Sequence, residues 1–357
     1  MRGLQVRPAP TDDRKIGQSY DDCPCARIRS SIRCRDRSRP LLFAIEIVLP
    51  IFTLIAFGWT LAAVGVLGRT AGAGLAEFAA KVGLPVLIFK TIASAQMTAD
   101  APWMLWACYF PGAAIAWTAG HLFAGRVLRR DPPTAVIAGI ASAFANTAFV
   151  GLPLAQRAYG EHGVLIVSLL LAVHMPIMMA TATILMERAE RQVKGGDGRS
   201  PLRVMLQILA NVGRQPVVIG VICGTAFRLS GLVLPELVDK PIGMIAQAST
   251  PVMLFALGMS LWAHGVKGEV ATAVAASVAK LALMPAAVLA IALALGLERS
   301  NIGPLVLIAA LPTGINVHMI AIQFRSNERL ASATVVMTTV VSVVTSSLWL
   351  MLLARFV

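Results

Sequence analysis

Residues 142–153 read Ser142-Ala-Phe-Ala-Asn146-Thr147-Ala-Phe-Val-Gly151-Leu-Pro153, in the middle of an apolar stretch covering 134–156. Residues 309–318 read Ala309-Ala-Leu-Pro312-Thr313-Gly314-Ile-Asn316-Val-His318, inside a second such stretch at 302–324. Proline removes a backbone donor and clashes with the preceding turn, and glycine lets a chain leave helical geometry. Each stretch is therefore expected to break into two half-helices, with unpaired N–H and C=O groups at the break. The N-terminal end of a half-helix carries partial positive charge and suits an anion. Asn146 and Asn316 bring amide donors and Thr147 and Thr313 bring hydroxyls, while Gly151, Pro153, Pro312 and Gly314 shape the breaks. Ordinary polar packing with proline kinks would explain one such stretch taken alone. Two matched interruptions favour a substrate-binding site.

The breaks need surroundings that exclude water, and the composition supplies them. Of the 357 residues 57% are hydrophobic and only 14% charged, against about 25% charged in a soluble domain. That balance excludes a soluble enzyme, a disordered protein, a coiled coil and a disulfide scaffold. The net charge of +13 raises the question of nucleic acid. The basic residues, however, sit in the first forty positions and in short loops, without the interleaved aromatics that stack bases, so no nucleic-acid partner is expected.

A membrane-crossing helix needs about 20 apolar residues. Ten segments meet this, at 42–66, 78–95, 103–125, 134–156, 163–186, 215–232, 242–263, 269–295, 302–324 and 330–354. The expected fold is all-α and integral to the membrane. Internal prolines such as Pro50, Pro85, Pro216 and Pro251 do not count against these segments, because neighbouring helices satisfy the freed backbone groups.

The sequence also matches itself at an ungapped offset of 166 residues. Pro50 falls on Pro216, Gly58 on Gly224, Gly65 on Gly231, Pro85-Val86 on Pro251-Val252, Phe89 on Phe255, Ser94 on Ser260 and Thr147 on Thr313. Single Val or Leu identities mean little between apolar segments; several Pro and Gly coincidences at one offset mean more. Five segments per half is an odd number, so the second half is expected to enter the membrane from the opposite side. Such inverted repeats are the usual plan of secondary transporters, with substrate near the midplane where interrupted helices meet. The expected division is a first repeat at 41–186, a connecting loop at 187–214 and a second repeat at 215–357.

Orientation follows from basic residues between segments. The loops after the odd-numbered segments carry thirteen Lys and Arg, from Arg69 to Arg329, and the opposite side carries five beyond residue 40. The positive-inside rule places the thirteen, and the 187–214 loop, in the cytoplasm and both chain ends outside it. The membrane expected is the cell (inner or plasma) membrane. Residues 1–40 hold ten basic residues on the disfavoured side and contain no signal-peptide core. They are expected to be a disordered extension or an over-called translation start.

A charge at mid-bilayer is costly and marks function or pairing. Glu77 and Lys81, four apart, are expected to pair on one helix face. Lys90 lies near enough to a segment end to snorkel, and Glu46 to reach the interface. Lys280 is different: it stands inside Val274–Leu295 with no acid within a helical turn or two. It is a candidate counter-ion or coupling group. His174 and His318 join it as candidates for proton relay or cavity lining, each with hydrogen-bonded packing as the alternative.

At these residues the chain resembles the auxin efflux carrier family from Ile45 to the C-terminus. The resemblance rests on Val48-Leu-Pro-Ile-Phe52, Gly83-Leu-Pro-Val-Leu-Ile-Phe89, Asn146-Thr-Ala-Phe-Val-Gly-Leu-Pro-Leu154, Phe255-Ala-Leu-Gly-Met-Ser260 and Ala310-Leu-Pro-Thr-Gly-Ile-Asn316. It implies ten helices in two inverted five-helix repeats, broken helices crossing at segments four and nine, and transport of small organic acids. It also implies a substrate carboxylate near the crossing, with Asn146 contributing, and a basic residue at Lys280. The plant members carry Gly-Ile-Val-Pro where this chain has Gly314-Ile-Asn316-Val317, which argues against auxin itself.

The expected function is thus a secondary transporter of a small organic anion, with no cofactor, no metal and no enzymatic activity; its partners are a carboxylate substrate and the lipid bilayer, with a homodimer left open. No Gly-x-x-x-x-Gly-Lys-Ser/Thr run occurs, which argues against ATP hydrolysis. An intramembrane enzyme and a non-transporting membrane sensor are the alternatives.

Overall fold

The computed structural model describes residues 40–94, 102–194, 216–264 and 269–354. Apart from Pro40, the basic tail lies outside the described residues, as does the expected 187–214 loop from residue 195 onward.

The described residues are helical, with one isolated β-bridge. The helices are α1 (Pro40–Ala63), α2 (Arg69–Phe78), α3 (Leu84–Ser94), α4 (Pro102–Leu122), α5 (Pro132–Ala143), α6 (Leu152–Lys194) and α7 (Pro216–Leu229). They continue as α8 (Glu236–His264), α9 (Val270–Val278), α10 (Met284–Ala294), α11 (Arg299–Ala309), α12 (Asn316–Gln323) and α13 (Glu328–Leu353). Short π-helical turns join α2 to α3 at Ala79–Gly83 and α9 to α10 at Ala279–Leu283, and another, Thr147–Gly151, leads into α6.

Among the described residues, six stretches are long and apolar enough to cross a membrane: Ala44–Ala63, Arg69–Ser94, Thr147–Val193, Glu236–Ala263, Val270–Ala294 and Glu328–Leu353. The sequence led us to expect ten, and the shortfall has physical causes. Segments four and nine are snapped, leaving α5 with 12 residues, α11 with 11 and α12 with 8. Helix α7 has only 14 residues, and α4 is diluted by Trp103, Trp106, Tyr109, Pro111 and Trp117. The second part of segment four runs on into segment five as α6, which turns at Gly160. There φ is +61° and ψ is −147°, a conformation open only to glycine.

Two sets of helices emerge from the contacts. Helix α1 lies along α8, and α3 along α7. Helix α4 lies along α5 and α10, and α9 along α13, which also lies along α1 and so touches both sets. The first set is joined through glycines. Gly58 of α1 abuts the backbone of Phe255 in α8, and Gly224 of α7 abuts Phe89 in α3, where an added Cβ would stand 3.0 Å from the Phe89 carbonyl. Gly58 and Gly224 are one 166-residue step apart, and so are Phe89 and Phe255. The same contact is therefore made twice, each time between the two halves. Aromatic edges reinforce both: Phe57 meets Phe255 with ring centroids 5.9 Å apart, and Phe89 meets Phe227 at 5.7 Å.

The charged residues behave as helix geometry requires. Lys81 Nζ lies 2.6 Å from Glu77 Oε1, the expected pair. Lys90 does more than snorkel: it meets Asp239 of α8 at 3.0 Å, tying α3 to that helix. Glu46 is exposed, and its backbone carbonyl accepts from Arg157 at 3.3 Å.

Candidate functional site

Helix α5 stops at Ala143 and α11 at Ala309, and the chain beyond each stop runs extended into the other. Ala145 and Thr313 form an antiparallel bridge. It is flanked by Asn146 N–H donating to the Pro312 carbonyl at 2.8 Å and by Gly314 N–H donating to the Phe144 carbonyl at 2.8 Å. Pro312 has no N–H to return to Asn146, so the ladder ends there. Thr313 also donates its hydroxyl to the Ala141 carbonyl at 2.8 Å and its N–H to Thr338 Oγ1 of α13 at 3.0 Å. Thr147 Oγ1 reaches the Ala145 carbonyl at 3.3 Å. Both threonine hydroxyls thus hold backbone at the crossing.

Asn146 caps the turn that restarts the helix. Its Oδ1 accepts from Phe149 N–H at 3.3 Å, while its Nδ2 is buried without a hydrogen-bond partner. Gly151 lies against Leu311, bringing the start of the second half of segment four close to the break in segment nine. Asn316, at the start of α12, directs Nδ2 to Met175 Sδ at 3.4 Å. Of the predicted residues, Asn146, Thr147, Pro312, Thr313 and Gly314 therefore meet at the crossing, with Gly151 and Asn316 beside it.

Lys280 lies in the π-turn between α9 and α10 and is fully buried. Its Nζ donates to the Ala309 carbonyl at 2.6 Å, at the very end of α11. His174 is equally buried, between the rings of Tyr109 at 5.4 Å and Phe144 at 5.2 Å, next to the Ala145 backbone. Neither of its ring nitrogens makes a hydrogen bond of ordinary geometry, and the Tyr109 hydroxyl has none either. Orphaned buried polar groups of this kind are uncommon. His318 stands apart on α12, bonded through Nδ1 to Ser332 Oγ at 3.0 Å.

Pro153 is not at the crossing; it lines a cavity of about 260 Å³ with Pro50, Leu54, Gln156, Gln247 and Pro251. A larger cavity of about 550 Å³ shares Gln156 and Gln247 and extends past Thr91 and Lys90 to Glu161 and His162. These spaces lie between the α1–α3–α8 set and the first turns of α6. The sequence reading missed Gln156, Gln247 and His162, which bonds Asn301 of α11 at 3.0 Å. A signal was present in Gln247, an uncharged polar residue inside the apolar segment 242–263.

Long apolar helices and two snapped ones that grip each other by their backbones define a multi-pass membrane protein. The membrane transport protein family model matches residues 43–350, and the chain belongs to this family, the auxin efflux carriers that its motifs resemble. It is 29% identical over 303 residues to a Rhizobium meliloti protein named "Putative malonate transporter", covering 84% of this chain and 92% of that one. It is 24% identical over 306 residues to an uncharacterized transporter of Methanothermobacter thermautotrophicus, covering 85% and 96%. With the uncharacterized transporter YfdV of Escherichia coli K12 it shares 25% identity over 322 residues, covering 87% and 98%.

Proposed function

We propose that this membrane transport protein is a secondary carrier of a small organic anion, working by alternating access around the crossing of Phe144–Gly151 and Ala310–Asn316. The observation that carries the reading is the Asn146 amide, buried at the junction of two broken helices with no hydrogen-bond partner for its Nδ2. A carboxylate arriving there gains an N–H donor and the positive end of the turn that restarts at Thr147.

In this reading the chain crosses the membrane ten times as two inverted repeats, 41–186 and 215–357, with both ends outside the cytoplasm. The set α1, α3, α7 and α8, clamped through Gly58 and Gly224, is the static wall. Helices α4, α5, α6 and α9 to α13 form the moving body that carries the crossing. The count of basic residues puts the end of α3, the Gly160 turn and the start of α8 on the non-cytoplasmic side. The cavity beside Gln156 and Gln247 is then the outer approach to Pro153 and the crossing.

The Rhizobium relative's name makes malonate the first substrate to test. The experiment is uptake of radiolabelled malonate into proteoliposomes of the purified chain, beside binding measured on the same preparation. The expected result is saturable uptake that other short dicarboxylates compete away. Binding without flux would make the protein a sensor instead. Product formation in a sealed preparation with no gradient would make it an enzyme.

A further inference from the structure

We propose that the Lys280 ammonium is a built-in cation that occupies the place of a coupling metal ion at the crossing, so that the carrier needs no sodium. The proposal deepens the carrier reading and rests on it for its meaning, although its first test does not require transport.

The last carbonyls of a helix have no intrahelical donor, and they concentrate the negative end of its dipole. In carriers built from broken helices, such ends and the unwound carbonyls beside them are where sodium or protons bind. Several of the freed carbonyls at both half-helix ends have named donors. At the end of α5, the Ile140 carbonyl takes the Phe144 N–H at 2.9 Å, and the Ala141 carbonyl takes the Thr313 hydroxyl at 2.8 Å. At the end of α11, the Val306 and Leu307 carbonyls share the Ala310 N–H, and the Ile308 carbonyl takes the Leu311 N–H at 3.3 Å. The Ala309 carbonyl takes Lys280 Nζ at 2.6 Å. The donors named at the α5 end are neutral, whereas the last carbonyl of α11 takes the Lys280 Nζ.

Sequence and backbone both single out this lysine. One repeat step earlier, 280 less 166, stands Ala114, so the first half has no counterpart. The π-turn Ala279–Leu283 carries Lys280, and the Leu281 carbonyl in the same turn accepts from Trp349 Nε1 of α13 at 2.9 Å. The turn that carries Lys280 is thereby anchored to α13, and its Nζ to the end of α11. Lys280 spends its bond on the Ala309 carbonyl and lines neither cavity beside Gln156. Lys280 is accordingly a positioning residue, acting on substrate through the end of α11 and the Ala309–Thr313 segment that it holds.

The test is thermal unfolding of purified protein in sodium, lithium, potassium or choline chloride at equal ionic strength. Wild type is expected to unfold at the same temperature in all four. Lys280→Gln, with the cation removed, is expected to gain stabilisation of about 3 °C or more from one of the small cations, as a newly bound ion would give. Stabilisation of wild type by sodium over choline would overturn the proposal, as would a Lys280→Gln protein indifferent to every cation. Should Lys280→Gln not survive purification, malonate uptake decides: wild type and Lys280→Arg should each transport equally in sodium and choline, and sodium dependence in either refutes the idea. If no flux is found at all but the thermal results hold, the carrier reading fails and the cation assignment stands.

Discussion

The main-chain N–H of Asn146 donates to the carbonyl of Pro312 at 2.8 Å, and these two residues are each other's counterparts at the 166-residue offset. The bond therefore lies where the two halves of the chain meet as equivalents. It is one-sided, because Pro312 cannot donate in return. Whatever else differs between the halves, the crossing is asymmetric at its centre, with an amide side chain on one strand and a pyrrolidine ring on the other.

Asn146→Ala should lower malonate uptake by at least about tenfold while losing only the cap to Phe149, about 1 kcal/mol. Uptake and thermal midpoint measured on one preparation separate the two effects. A variant that transports at the wild-type rate would remove the amide from the mechanism.

Pro153→Ala tests the cavity rather than the crossing. Proline is tolerated in the first turn of a helix, so its replacement leaves α6 intact. Insertion and stability should stay near wild type, and uptake should fall by a few-fold as the apolar wall shared with Pro50 and Pro251 changes shape. Wild-type kinetics would detach this cavity from the substrate route.

Gly58→Ala should destabilise by about 2 kcal/mol, since the added methyl would run into the Phe255 backbone and force α1 and α8 apart. Gly65→Ala is a useful contrast: no atom stands near a Cβ at that position, although its φ of +81° carries a strain of its own. Thermal unfolding in detergent should rank Gly58→Ala as the worse.

Tyr109→Phe should leave stability unchanged or raise it by up to about 1 kcal/mol. It deletes a hydroxyl that is buried without a hydrogen-bond partner and keeps the ring against His174. A clear loss of stability would mean that the hydroxyl is satisfied after all.

The ion pair of Lys90 with Asp239 is only partly buried, with side chains 31% and 42% exposed, and should contribute less than about 1 kcal/mol. Lys90→Ala and Asp239→Ala are each expected to shift the thermal midpoint slightly, and the double variant to shift it by less than their sum. Strict additivity would show that the pair is not coupled.

Much of this was legible in the residues before any coordinates. Proline and glycine report their backbone consequences wherever they stand, so the breaks near Asn146 and Pro312 were readable, and so was the pairing of Glu77 with Lys81. The partners of long-range contacts were not. Nothing in a sequence tells that Lys280 should reach Ala309, 29 positions away, or that Lys90 would find Asp239. The threonine hydroxyls were expected to be free for a ligand; they hold carbonyls, because an extended segment leaves acceptors that the nearest donors must fill. Helix α4 is less apolar than its segment reads, because its tryptophans and tyrosine dilute an otherwise apolar run.

The doubled glycine contact has a consequence for biogenesis. Helix α1 finds its closest neighbour in α8, and α3 finds its own in α7, so both wait for chain not yet made. While the ribosome is still producing the stretch between them, α1 lacks the partner that Gly58 packs against. Assembly of that wall thus waits for the second half, and a message cut short before Gly224 would yield a protein with neither seam closed.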